Sequence, residues 1–325
     1  MKQKVIRAVL IGVLLFLCFS MAEKIERCYS ALGLRWKNPL TQTQAETLRK
    51  QAAEQNLTLS FWQEEVGQVT SALHSMQNVT VIKFNGEGAP CYPAELVTGS
   101  YPGSEDVFGC SISTSLAWEL FGSDDLVGQQ LKWNERVLTV RGVFSERADV
   151  LLVADEMTGT FTAAELGGAL EEDRRTQAQT LVQQAGLPAP DSMIYGQSMY
   201  TLALWFCYLP MVLASVFWIK GCRHRIHALP PAHRQVLWWG VGMGTALCLP
   251  FLLSLLPVWM IPARWSDFSF WPTLLQTGGQ CIDEWLALVP AHKDVLAKRA
   301  ECLLVFFSAV ASGITIGWYN KTRTC

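Results

Sequence analysis

Four stretches of the chain carry apolar residues almost without interruption, while the segments between them alternate and turn like a water-exposed domain. The apolar stretches are residues 5–22, 199–219, 236–261 and 302–319. A helix needs about 20 apolar residues to cross a hydrocarbon core of roughly 30 Å. The second and third stretches meet that length and contain no Asp, Glu, Lys or Arg. The first and fourth lie nearer the lower limit. The pattern predicts four transmembrane helices, assigned to residues 1–22, 199–219, 236–261 and 302–319. A cleaved signal peptide is the alternative for residues 1–22, because Lys2, Lys4 and Arg7 form a basic start and Ser20 to Ala22 resemble a small-x-small cleavage site. Pro210, Pro250 and Pro257 fall inside apolar stretches, where they can kink helices. Gly240 and Gly244 form a GxxxG spacing that permits close helix packing.

Residues 23–198 have a different texture. Residues 23–55 are rich in helix formers and predict a helix, with Thr41 as a cap. "LTLSFWQEE" is strand-like, and "VTVIKF" alternates as a half-buried strand does. "GEGAP", "TGSYPGSED" and "FGSDD" are turn clusters. "ISTSLAWELFG" predicts a short helix with Leu116, Ala117 and Leu120 on one face, ended by Gly122 in the left-handed region. "QQLKWNERVLTVRGVF" predicts a hairpin with "WNER" at its turn, and "VLLVADEM" another strand. Residues from "TAAELGG" to Gly186 predict a helix, stopped by Pro188 and Pro190. The fold class is therefore a membrane protein: four transmembrane helices with a large α+β domain, residues 23–198, inserted between the first and second.

Charge orients this scheme. The short connection at 220–235 holds Lys220, Arg223, Arg225 and Arg234 and no acid. The tail, 320–325, holds Lys321 and Arg323, again without acids, and the N-terminal end is basic too. Basic connections face the cytoplasm, so residues 23–198 and 262–301 are expected outside, and both termini inside. Thirteen Trp, several at the edges of apolar stretches, suit a bilayer interface. A net charge of -2 argues against a polyanionic partner such as nucleic acid. Cys91 and Cys110 both fall in the outside domain, a compartment that permits disulfides, and are expected to pair.

Little in the chain suggests reaction chemistry. There is no GxxxxGK[ST] phosphate loop, so ATP is not bound in that way. Asp124 and Asp125 follow Ser123 in a turn, where carboxylates cap or begin an element. His74 and Ser75 lack an evident third partner for a triad. His224 and His227 have no third ligand near them, and the cysteine spacings suggest no zinc site. No catalytic, cofactor-binding or metal residue is expected, and the chain reads as a non-enzyme.

The stretch "SISTSLAWELFGSDDLVGQQLKWNERVLTVRGVF" resembles the end of the periplasmic core domain in MacB/FtsX-type ABC transporter permeases. The elements that carry the resemblance are Leu120, Phe121, Gly122, Asp124, Asp125, Gly128, Leu131, Val140, Gly142 and Val143, with Gly99, Glu105 and Asp106 upstream. The close match covers about 50 residues, and the order of one helix, a large outside domain and three helices extends it along the chain. Two features depart from the family. The 262–301 segment is long and carries its own amphipathic stretch, and the first helix starts almost at the N-terminus. The resemblance implies a permease dimer, homo- or heteromeric, in the cell membrane with a separate ATPase subunit. Lys220, Arg223, Arg225, Pro230, Pro231 and Arg234 would then form the cytoplasmic coupling loop. Mechanotransmission or export is the implied activity. A membrane-anchored sensor or binding module that retains the domain is the alternative.

Overall fold

The computed structural model describes residues 2–154, 159–168, 174–227, 230–254, 261–262, 264, 266–287 and 291–323. By chain contacts it divides into two compact units. One comprises Met1–Glu26, Gln197–Ile282 and Leu296–Cys325, and the other Arg27–Gly196 with Asp283–Val295.

The first unit is helical. Helix α1 (Lys2–Cys28) opens the chain, α6 (Gly196–His227) and α7 (Pro231–Ser254) follow the large domain, and α8 (Phe270–Ala287) and α9 (His292–Arg323) close it. Among the described residues three segments are long and apolar enough to cross a membrane: Val5–Cys28, Ser198–Phe217 and His292–Tyr319. They pack on one another by side chains their sequences supply. Ser308 Oγ of α9 donates to the Phe206 carbonyl of α6 at 2.6 Å, satisfying the hydroxyl in an apolar setting. Phe19 meets Tyr208 edge-on, and Phe217 stacks on Tyr319 at 4.5 Å between ring centres. The fourth expected span, 236–261, coincides with α7 only as far as Ser254; Pro257 and the rest of residues 255–260 lie outside the described residues. Helix α9 begins at His292, well before the expected start at 302.

The second unit is built on a sheet that has ten strands among the described residues, in the order β10-β1-β9-β2-β3-β8-β5-β7-β4, with β6 pairing β2 and β7. The strands are β1 (Leu32–Thr41), β2 (Thr58–Thr70), β3 (Ser75–Asn85), β4 (Leu96–Gly99), β5 (Gly109–Ser113), β6 (Gln130–Trp133), β7 (Arg136–Phe144), β8 (Val150–Ala154), β9 (Thr160–Gly167) and β10 (Ser192–Tyr195). The pairs β3/β8 and β5/β7 are parallel and the rest antiparallel. Helices α2 (Gln42–Glu54) and α5 (Arg174–Gln184) cover one part of the sheet, burying Leu48 and Leu181 with Leu34, Leu40, Phe61 and Phe161. A second core gathers Val81, Ile112, Val140 and Leu151 beneath α4 (Thr114–Phe121), which contributes Leu116 and Leu120.

Local chemistry explains several boundaries. Thr41 caps α2 in a reciprocal box: its Oγ1 accepts from Gln44 N, and Gln44 Oε1 accepts from Thr41 N at 2.9 Å. Helix α4 starts at Ser113, whose hydroxyl accepts from Leu116 N, and ends at Gly122 with φ 70°, where a side chain would be strained. The β6–β7 turn places Asn134 and Glu135 both at positive φ, as a two-residue hairpin with matching twist requires.

Three expectations are corrected. Residues 23–55 are not one helix: α1 ends at Cys28, β1 follows, and only then comes α2. Residues 162–167, expected as the start of a helix, belong to β9, because pairing with β1 and β2 on its two edges outweighs the helix preference of Ala-Ala-Glu-Leu. Cys91 and Cys110 do not pair. Cys91 lies on α3 (Gly88–Cys91) with its thiol directed at the Glu87 and Phe61 carbonyls, whereas Cys110 is packed among the apolar residues of the second core. Burial pushes both thiols well above their ordinary range, so they stay protonated.

Candidate functional site

The domain holds a dense group of buried charges on two inner strands and the helix that meets them. Arg35 stands on β1, Glu165 on β9, and Lys293 and Asp294 on the first turn of α9. All four side chains are at most 8 % exposed. Their strands explain the meeting: β1 and β9 are direct neighbours, with Gly33 opposite Glu165 and Arg35 opposite Ala163. Strand β9 pairs β2 on its other side, which brings Trp62 alongside.

The geometry is close and well satisfied. The Arg35 guanidinium donates to both carboxylate oxygens of Asp294, Nε to Oδ2 at 3.2 Å and Nη2 to Oδ1 at 3.0 Å, a fork-to-fork pairing. Nη2 also lies 2.9 Å from Glu165 Oε1. Lys293 Nζ reaches the same Glu165 oxygen at 3.0 Å and donates to the Pro90 carbonyl at 2.6 Å. Trp62 Nε1 donates to Glu165 Oε1 at 3.2 Å, and the guanidinium lies 4.9 Å from the Trp62 ring centre. Two cations face two anions, so the cluster is neutral as a whole. Burial pulls the Arg35 proton affinity down, but Glu165 and Asp294 more than restore it, and the guanidinium remains charged.

Helix α9 therefore starts inside the domain. Its first amides need partners, and Glu64 of β2 supplies one: Glu64 Oε1 accepts from His292 N at 2.7 Å. Asp294 in the first turn adds a favourable negative charge at the positive end of the helix dipole. The His292 ring stacks on Tyr92, whose hydroxyl donates to Glu146. From Leu296 onward the same helix belongs to the helical unit.

Glu64 is the titrating member. Burial pushes its carboxyl up to about 7, with Asp294 adding to the rise and the His292 amide and Arg35 opposing it. The native state thus holds this proton more tightly than the unfolded chain. The resulting stabilisation is complete below about pH 4.5, the ordinary value, and is lost as pH rises through about 7. The full chain in detergent is expected to unfold more readily at pH 8 than at pH 5.5, and Glu64→Gln to flatten that difference. Denaturant midpoints at the two pH values check it; an unchanged slope in the variant would remove Glu64 as its source.

The family-motif residues and the basic residues of the 220–235 connection lie outside this cluster. Leu120 is buried in the second core with Phe121 packed against it, and Gly122 ends α4. The Asp124 carbonyl accepts from Thr98 Oγ1, and Asp125 N donates to Ser123 Oγ. Gly128 N donates to the Val140 carbonyl, and Gly142 sits in β7 with Ser100 close against it. The connection at 220–235 is mostly helix. Helix α6 carries Lys220, Arg223 and Arg225 as far as His227, Pro230 lies in the junction, and Pro231 opens α7 ahead of Arg234. Proline suits a first helical position, since its missing amide would have no partner there. The side chains of Arg223, Arg225, Pro231 and Arg234 lie outside the described residues.

The sequence reading passed over Arg35, Glu165, Lys293 and Asp294. The available signal was a single charge set in each of two otherwise apolar stretches, "LGLRW" and "TAAELG". Such a residue inside a sheet calls for a partner.

These features define a multi-pass membrane protein with a mixed-sheet domain between its first two membrane helices. No known family and no curated protein matches the sequence. Among solved structures, the chain is similar to the periplasmic region of MacB from Actinobacillus actinomycetemcomitans. That similarity has 12% identity and a TM-score of 0.43 over 52% of this chain and 89% of that one. It is also similar to the extracellular domain of the noncanonic ABC-type transporter YknZ from Gram-positive bacteria, at 12% identity and a TM-score of 0.41 over 49% of this chain and 96% of that one.

Proposed function

We propose that the chain is the permease subunit of an ATP-driven transporter of the MacB/FtsX type. A separate ATPase hydrolyses ATP, and the chain, as a dimer in the cell membrane, converts that event into movement of its outside domain. The observation that carries the reading is the anchoring of α9. A helix long and apolar enough to cross the bilayer is held at its first turn by two buried charges of the sheet, Arg35 and Glu165, paired with its own Asp294 and Lys293. A shift of that helix along its axis must drag β1 and β9 with it, since a buried ion pair cannot slide without stranding a charge. The sequence resemblance and the insertion of the domain after α1 support the same reading.

In this topology residues 236–261 form a fourth span, both termini face the cytoplasm, and the α6–α7 junction faces the ATPase. The chain supplies no reacting group; its basic residues at the junction would meet acidic groups on the ATPase. The test is to purify the full chain from its native membrane, identify any P-loop ATPase bound to it, and reconstitute the pair. Replacing residues 220–235 by a Gly/Ser linker is expected to weaken that association at least about tenfold, equivalent to ~1.4 kcal/mol of contact energy. An ATPase that binds and turns over equally well with the replaced segment would overturn the coupling role.

A further inference from the structure

Helix α8 (Phe270–Ala287) has no role in the scheme so far. Its entrance is fixed by Asp267, whose carboxylate accepts from the Ser269 amide and hydroxyl. Trp271, Leu275, Ile282 and Leu286 then recur at helical spacing and fall on a single stripe, with Phe268 in the turn just before the helix. All five are exposed, Phe268 by 82% and Leu275 by 77%. Gly278 and Gly279 occupy the turn between Leu275 and Ile282, so no side chain interrupts the stripe. Thr273, Gln276, Gln280 and Asp283 point the other way and are exposed as well. The helix is not among the segments apolar enough to cross a membrane.

Its tethers say what covers the stripe. Ala287 is followed after a short connection by His292, the first residue of α9. Five chain steps reach at most about 17 Å. The polar first part of α9 is of about that length before the apolar run at Cys302, at about 1.5 Å per residue. The helix is thus confined to the neighbourhood of the outer membrane surface, with a wet face and an apolar face.

We propose that α8 lies in the outer headgroup layer of the bilayer with Trp271, Leu275, Ile282 and Leu286 turned into the acyl boundary. Residues 270–287 contain no Lys or Arg. Attraction to anionic lipid therefore contributes nothing, and apolar burial alone holds the helix. The ligand is a neutral lipid surface such as phosphatidylcholine. The inference rests on the topology proposed above, which places residues 262–301 outside.

The test uses the full chain in sealed phosphatidylcholine vesicles with the large domain outward. An encoded amino acid bearing an environment-sensitive fluorophore is placed at position 275 or 276. A nitroxide near the lipid headgroup is expected to quench position 275 about twofold or more over position 276, with iodide added outside showing the reverse preference. Neither 0.5 M salt, a high-salt screen of about 3–8 Å reach, nor anionic lipid should change the pattern. Leu275→Cys labelled in the same way keeps the readout independent of the encoding method. Equal iodide access at both positions would overturn the proposal, and so would protection of position 275 from both quenchers, which would mean a second copy or another subunit covers the stripe. Iodide reaching position 276 only from inside would instead overturn the topology.

Discussion

Arg35→Met is expected to destabilise the folded domain by about 3–5 kcal/mol, the loss typical when one partner of a buried ion pair is removed. The reasoning follows the charges. With the guanidinium gone, Asp294 keeps no cation partner among the described residues, and Glu165 keeps Lys293 and the Trp62 Nε1 hydrogen bond. Water cannot reach the stranded carboxylate, since Asp294 is fully buried. Arg35→Met combined with Asp294→Leu removes both charges, leaves the Lys293–Glu165 pair in place, and is expected to recover most of the loss. Maleimide labelling provides the measurement. Cys91 is free and buried, and its neighbours include Lys293 and Glu165, so its labelling rate reports opening near the cluster. Cys110 in the second core reports whether the whole domain has opened. The single variant should accelerate labelling of Cys91 and the double variant should restore it. If the single variant labels like the parent chain, the cluster does not hold α9.

Gly196→Ala carries the second large effect. Gly196 is where β10 gives way to α6, and its α-carbon lies against the backbone between α1 and β1. A Cβ there would run into the Tyr29 carbonyl oxygen and lie 2.9 Å from that of Ala31. Both obstacles are backbone, so neither can swing aside as a side-chain tip would. Overpacking of this kind costs about 1–3 kcal/mol and sometimes more. Gly317→Ala in α9 is the matched comparison, because nothing lies within 4 Å of that position. Thermal unfolding of the full chain in detergent should fall for the first variant and hold for the second. If the chain serves as a permease, Gly196→Ala should also reduce stimulation of the partner ATPase.

The parts of this fold that were legible in the sequence are those whose signals are local. Thr41 before a run of helix formers, Gly122 after an apolar helical face, and "WNER" between alternating segments each declare a boundary through their own chemistry. Strand β1 was hidden because it interrupts itself. Lys37, Asn38 and Pro39 are unlike an inner strand, and they fall where the register with β9 shifts between Arg35 and Leu40. Strand β9 was hidden because Ala163, Ala164, Glu165 and Leu166 favour a helix until β1 and β2 supply hydrogen bonds on either side. The charge cluster was out of reach for a different reason. Its members come from β1, β9 and α9, and Arg35 and Asp294 are 259 residues apart. No window of sequence holds both, and a lone charge in an apolar stretch says only that a partner exists.

That separation also sets an order of events. During synthesis Arg35 and Glu165 come together first, one positive and one negative, on adjacent strands of a sheet that precedes α6. Lys293 and Asp294 arrive only after the chain has passed through the helices that follow, again as one positive and one negative. Each contribution is neutral by itself, so the half-finished domain never has to bury a net charge while it waits for the last helix. The docking of α9 completes the cluster, and a chain cut before residue 293 would possess the ten described strands yet lack their lock.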